Sequence, residues 1–143
     1  MFIGQYEHSV DQKGRAAVPA EFRRHLVDGS IITKGLDGCL FLFPKNKWQS
    51  LAKNIGELPI SKSAARLYAR LILANASEVE FDNQGRILIP AYLRGYATIK
   101  TKIIFTGVYD RIEIWDKQSW KKLSEKTDKS VGEIVEQLSE LGV

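Results

Sequence analysis

Hydrophobic and polar residues alternate with a period of two in short stretches, and the rhythm is heard twice along the chain. Val79 and Phe81 interleave with Glu78 and Glu80, and Tyr6, His8 and Val10 keep the same phase near the start. Such alternation puts one side of a strand in a core and the other in water. Short apolar runs then predict strands at residues 16–18, 31–34 and 40–43, and again at 87–89, 102–106 and 112–115. A D-x-x-G-R segment separates the first two strands of each set, with Asp bonding to nearby backbone groups and Gly supplying positive φ. Pro19 and Pro90 are placed to open short helices. Trp48 and Trp120 open longer ones. Residues 61–74 read as a helix with Ala64, Leu67, Leu71 and Ala74 on its apolar stripe. Near the end, Ser130 and Glu133 have capping-box spacing ahead of Val131, Ile134, Val135, Leu138 and Leu141.

The two sets of elements are copies. Residues 11–23 (DQKGRAAVPAEFR) match residues 82–94 (DNQGRILIPAYLR), with Asp11/Asp82, Gly14/Gly85, Arg15/Arg86, Pro19/Pro90, Ala20/Ala91 and Arg23/Arg94 identical. After one inserted residue the pairs Ile31/Ile103, Ile32/Ile104, Gly35/Gly107, Lys45/Lys117, Trp48/Trp120 and Leu51/Leu123 align as well. The period is too long for a solenoid, so each copy is a small domain. One copy has too few strands and too little core to stand alone, so the copies are expected to share a core across a pseudo-two-fold axis. The expected organisation is domain 1 at residues 1–54, a linking helix at 55–75, domain 2 at 76–124 and an amphipathic helix at 125–143.

Composition narrows the function. The 143 residues are 44% hydrophobic, include three Trp, five Tyr and six Phe, and carry a net charge of +4; this is a chain with a packed core and a bias toward anionic partners. No apolar run has the length of a membrane span, and MFIGQYEHSV lacks the form of a secretory signal, so a cytosolic protein is expected. One cysteine, Cys39, excludes an internal disulfide, and His8 and His25 have no partner at metal-ligand spacing. His8 reads as an inward strand residue, and Cys39 as part of a turn. No nucleophile elbow, phosphate-cradling loop or zinc-protease motif is present, and a duplicated contact suits a repetitive ligand better than an asymmetric catalytic site, so no enzyme, cofactor or metal site is expected.

Two readings stand for the twin turns. Arg15 and Arg86 either fork onto phosphate or guanine, or pair internally with Asp11 and Asp82 and staple the turn. Asp11, Asp82 and Gly85 are read as structural in either case. Lys62, Arg66 and Arg70 share one helix face, a solvated surface or a contact for an anion. The final amphipathic helix is either a packing element or a partner surface.

These residues carry a resemblance. The tandem D-x-x-G-R turns, each followed by a short strand, Pro-Ala and a helix, resemble the MraZ family of bacterial regulators, as do the opening MFIGQYEHSVDQKGR, the I-x-K-G-L-D-G-C-L turn and the A-N-A-S-E-V-E-F-D junction. The resemblance spans essentially the whole chain. It implies an α+β, strand-rich fold of two SpoVT-AbrB domains, tandem swapped-hairpin half-barrels with flanking helices. It also implies ring-shaped homo-oligomers and binding to G-rich promoter repeats of double-stranded DNA, with regulation, usually repression, of the division and cell wall gene cluster at the nucleoid. The family's DNA-contacting turn falls on Gln12, Lys13, Gly14 and Arg15, and in the second copy on Asn83, Gln84, Gly85 and Arg86. Gln84 stands where the first turn has Lys13, so the first turn carries the extra positive charge. The competing readings are an antitoxin-like DNA binder of the same fold group and an interaction scaffold with no nucleic-acid role.

Overall fold

The computed structural model describes residues 1–143. In chain order it contains β1 (Phe2–Ser9), β2 (Arg15–Ala17), α1 (Ala20–Arg23), β3 (Ser30–Lys34), β4 (Leu40–Pro44), α2 (Lys45–Gly56) and α3 (Ser63–Ile72). The series then repeats as β5 (Ser77–Val79), β6 (Arg86–Leu88), α4 (Ala91–Tyr96), β7 (Lys102–Tyr109), β8 (Ile112–Asp116) and α5 (Lys117–Lys129), followed by α6 (Val131–Gln137) and a 3-10 turn, Ser139–Leu141. The fold is α+β, and its strands exchange between copies. Six strands form one antiparallel sheet in the order β1-β7-β8-β4-β3-β5, and β2 pairs with β6 in a separate ribbon. Each copy's first strand therefore completes the other copy's hairpin.

Register shows how close the pseudo-symmetry is. In the central pair Leu40 faces Ile114, Phe41 faces Glu113 and Leu42 faces Ile112; Leu40 and Ile112 are counterparts, so the axis passes through Phe41 and Glu113. In the ribbon Arg15 faces Leu88, Ala16 faces Ile87 and Ala17 faces Arg86, so the same axis passes through Ala16 and Ile87.

One alignment expected from sequence is corrected. Ile31 lies opposite Phe43, and Ile104 lies opposite Phe43's counterpart Trp115. Ile31 thus matches Ile104, Ile32 matches Phe105 and Thr33 matches Thr106. The second copy has two additional residues before β7 and one fewer in the β7–β8 turn, and an alignment with a single gap merges the two into one net insertion.

The cores follow from these pairings. Ile32, Leu40, Leu42, Ile103, Phe105, Ile112 and Ile114 point from the sheet to one side, where they meet Phe22, Leu26, Ile87, Ile89 and Leu93 of both copies. On the other side Cys39, Phe41, Phe43, Ile104 and Trp115 are covered by Trp48 and Leu51 of α2 and Trp120 and Leu123 of α5. Covering both faces explains why β4 is a continuous apolar run rather than an alternating one. His8 is half-buried and meets the Phe105 ring edge-on at 5.6 Å, as an inward strand residue should. Cys39 is buried beside its turn, its Sγ 3.2 Å from the Leu36 carbonyl, and burial pushes its thiol well above the usual range.

Helix details differ from expectation. The longer helices begin at Lys45 and Lys117, three residues before the tryptophans. Pro19 and Pro90 sit at N-caps, one position earlier than expected. In α3 the buried residue is Ile72, with Ala65, Tyr68 and Ala69 half-buried, whereas Leu67, on the expected stripe, is 61% exposed. Both faces of α3 are apolar enough to be buried, and its docking on β3 decides, with the Thr33 hydroxyl donating to the Ile72 carbonyl at 2.6 Å. The matching Thr106 hydroxyl is buried without a partner. The expected capping box at Ser130 does not form: α5 runs to Lys129, and the Ser130 side chain makes no cap bond.

Candidate nucleic-acid interface

Each D-x-x-G-R turn is built outward from its aspartate. One oxygen of the Asp11 carboxylate accepts the backbone N–H groups of Lys13 and Arg15, both at 2.9 Å, and the other accepts Arg15 Nε at 2.8 Å with Arg15 Nη2 also at 2.8 Å. Asp11 and Arg15 close the loop with a backbone bond of 2.9 Å, and Gly14 turns it at φ 85°. The second turn repeats this. Asp82 accepts the Gln84 and Arg86 N–H groups at 2.8 and 2.9 Å and Arg86 Nε at 2.7 Å, with Gly85 at φ 73°. A residue with a Cβ is strained at that φ, and the space beside each glycine is taken by an arginine. A Cβ on Gly14 would meet the Arg94 guanidinium, and one on Gly85 would meet that of Arg23. Each turn is thus packed by an arginine of the other copy.

The ribbon brings the turns together. Gly14 accepts the Ile89 N–H at 2.8 Å and Gly85 accepts the Val18 N–H at 3.1 Å, extending the β2–β6 ladder into both turns. Ala16, Val18, Ile87 and Ile89 are buried beneath it. Arg15, Ala17, Arg86 and Leu88 occupy the alternate positions, and Gln12, Lys13, Asn83 and Gln84 are exposed at the tips. Gln12, Lys13, Arg15, Asn83, Gln84 and Arg86 therefore share one surface, whereas Gly14, expected to face DNA, is buried against Arg94 and Ile89. Sequence reasoning missed Leu88, 54% exposed and directly opposite Arg15. Its signal was present: Leu88 holds the outward phase in a three-residue strand that otherwise reads as core.

The two turns are not equivalent. Arg15 approaches only Asp11, whereas Arg86 binds Asp82 and also has Nη1 3.8 Å from Asp11. Arg15 is held twice by one carboxylate, Arg86 is shared between two, and the second turn lacks the neighbouring lysine. The internal staple foreseen as one of two readings is present in both copies. It leaves the Nη1 edge of Arg15 uncommitted, so stapling and outward recognition are compatible.

The hydrogen bonds from the Arg15 backbone and side chain hold the Asp11 carboxyl at about 2, and those from the Arg86 backbone and side chain lower the Asp82 carboxyl. Because the folded pKa lies below the ordinary 3.8, this contribution to stability is complete above about pH 4 and is lost as pH falls through about 2. Acid titration followed by circular dichroism is expected to show Asp11→Asn less stable than wild type at neutral pH, with the two converging near pH 2. A difference that persists at pH 2 would show that the carboxylate's charge is not what holds the turn.

The class defined by this fold and surface is a duplicated, strand-exchanged α+β protein presenting two aspartate-held arginine turns on one ribbon. Comparison with known proteins gives the family. The MraZ protein family, whose description likens it to antitoxins, matches the chain twice, over residues 1–71 and 72–140. The chain belongs to the MraZ family. It is 48% identical to the transcriptional regulator MraZ of Thermoanaerobacter pseudethanolicus and 41% to that of Natranaerobius thermophilus, each over the full length of both chains. Identity to the Pediococcus pentosaceus regulator of the same name is 39%, again over both full lengths. That shared name describes a non-enzymatic role, in agreement with the absence of catalytic motifs, and no helix is long and apolar enough to cross a membrane.

Proposed function

We propose that this chain is a sequence-specific DNA-binding transcriptional regulator that acts as a repressor of the division and cell wall gene cluster. It binds short G-rich direct repeats in the cytoplasm, at the nucleoid, as a ring homo-oligomer of tandem SpoVT-AbrB domains. The observation that carries this reading is the pair of aspartate-buttressed arginine turns on one two-stranded ribbon. A β-ribbon fits the major groove, where an arginine reads guanine O6 and N7 with two parallel N–H bonds. Asp11 holds Arg15 by its Nε edge, and the outer edge of the guanidinium is the one that meets the base. Lys13 and Gln12 reach the flanking phosphates, Gln84 and Arg86 do the same from the second turn with less charge, and Gly14 serves by setting the turn that presents them.

One ribbon neutralises only a few phosphates and binds weakly at physiological salt. A ring presents several ribbons to one duplex, so that each later contact is effectively intramolecular. The test is fluorescence anisotropy with duplexes carrying G-rich repeats. Repeats spaced by one helical turn, about 10–10.5 bp, are expected to bind far more tightly than the same repeats moved half a turn out of phase. Equal binding to both spacings, or to G-free DNA, would overturn the proposal.

A further inference from the structure

Every residue from Val131 to the end of the chain is exposed. On α6 and its C-cap the residues Val131, Ile134, Val135 and Leu138 stand at i, i+3, i+4 and i+7, a continuous apolar stripe that stays 37–51% exposed. A solvated helix end does not keep such a stripe without a partner. The segment is also acidic: residues 130–143 include Glu133, Glu136 and Glu140 and no lysine or arginine.

The complementary feature belongs to the first repeat. Between the end of α2 and α3 runs an open groove of about 300 Å³, floored by Ile55, Leu58, Ile60 and Ala69, with Arg66 and Arg70 on its rim. Ile55 beneath it is buried, but Ile60 is 83% exposed and Leu58 43%, so the apolar lip of the groove is open. Residues 45–70 hold six basic side chains and only Glu57, so the groove is positive where the tail is negative.

We propose that the groove receives the C-terminal helix of a second copy, the α6 stripe lying on the Ile55–Leu58–Ile60 floor and the acidic segment in the field of Arg66 and Arg70. This rests on the ring assembly proposed above and names its contact. Groove and helix belong to opposite repeats, so the contact is head-to-tail, and each added copy leaves one groove and one helix free until a ring closes. The charge contribution is solvent-exposed, so added salt weakens the contact without abolishing it.

The test uses two full-length variants, Ala69→Cys and Leu138→Cys, with size-distinguishable tags; Cys39 is buried and stays out of the reaction. Under mild oxidation the mixture is expected to give a disulfide-linked pair of the two variants, while neither links to itself. The double variant is expected to give a ladder ending at one closed species. In light scattering Ile134→Asp and Arg70→Glu are each expected to raise the dissociation constant at least tenfold; Arg66 is left in place because its Nη1 donates to the Ile60 carbonyl at 3.0 Å and shapes the groove. Their thermal unfolding should stay at wild type, since the altered side chains are exposed. Leu138→Cys linking to itself, or the double variant closing within one chain, would overturn the docking. A wild-type ring whose mixed variants stay unlinked overturns the docking and leaves the ring intact, whereas a monomeric wild type overturns both.

Discussion

Arg15→Ala is expected to abolish operator binding while the chain still folds. Each engaged Arg15 that reads a guanine contributes about 1–3 kcal/mol of discrimination, and a ring loses that contribution at every subunit in contact. The compounded loss removes specific binding at physiological salt. The fold survives because the turn is held by backbone groups as well. Asp11 still accepts the Lys13 and Arg15 N–H groups, and the Gly14 carbonyl still anchors Ile89. The lost ion pair is about one-third exposed on each side and weakly stabilising, since such pairs are screened. Arg15→Lys keeps the charge but loses both the planar fork and the Nε bond to Asp11. It is expected to bind the repeats nearly as poorly as alanine while retaining more of the nonspecific, salt-sensitive affinity. Arg86→Ala is expected to be milder, since Arg86 is already drawn toward both carboxylates. Anisotropy titrations of the three variants, with circular dichroism melts beside them, give the answer. An Arg15→Lys protein that binds like wild type would mean Arg15 meets phosphate only, and equal losses for Arg15→Ala and Arg86→Ala would mean both turns read the same way.

The second large effect is expected at Phe105. This side chain is fully buried in β7 of the second repeat, yet it packs against His8 of the first, and β1 and β7 are paired along their whole length. Phe105→Ala removes the ring and leaves a cavity, which costs about 3–5 kcal/mol, a large part of a typical domain's total stability. Both copies are expected to unfold together in one denaturant transition shifted to lower midpoint, because neither retains a complete sheet without the other's strand. Tryptophan fluorescence senses Trp48, Trp115 and Trp120 around the smaller core, and far-ultraviolet circular dichroism senses the whole chain. The two curves should coincide. Separate transitions would show that the repeats are independent domains and that strand exchange is not what unites them.

Much of this protein was legible in the chain. Duplication, strand positions, the D-x-x-G-R turns and the absence of catalytic motifs rest on local signals: alternation of side chains, the positive φ that only glycine takes freely, and an aspartate able to accept the N–H groups two and four residues on. The candidate site was legible for the same reason, since both turns are self-contained. What depends on partners distant in sequence was decided by the tertiary structure. Strand exchange puts β1 beside β7 and β5 beside β3, so the one-insertion alignment gives way to the register of Ile31 with Ile104. Two apolar stripes compete on α3, and the bond from Thr33 to Ile72 selects the one containing Ala65, Tyr68 and Ala69. Leu88, in a strand buried on one face only, turns outward because the ribbon pairs it with Arg15. The nearness of Arg86 to Asp11 arises from that pairing as well: a turn's own hydrogen bonds are written within five consecutive residues, but its electrostatic neighbours are chosen by the fold that sets two turns side by side.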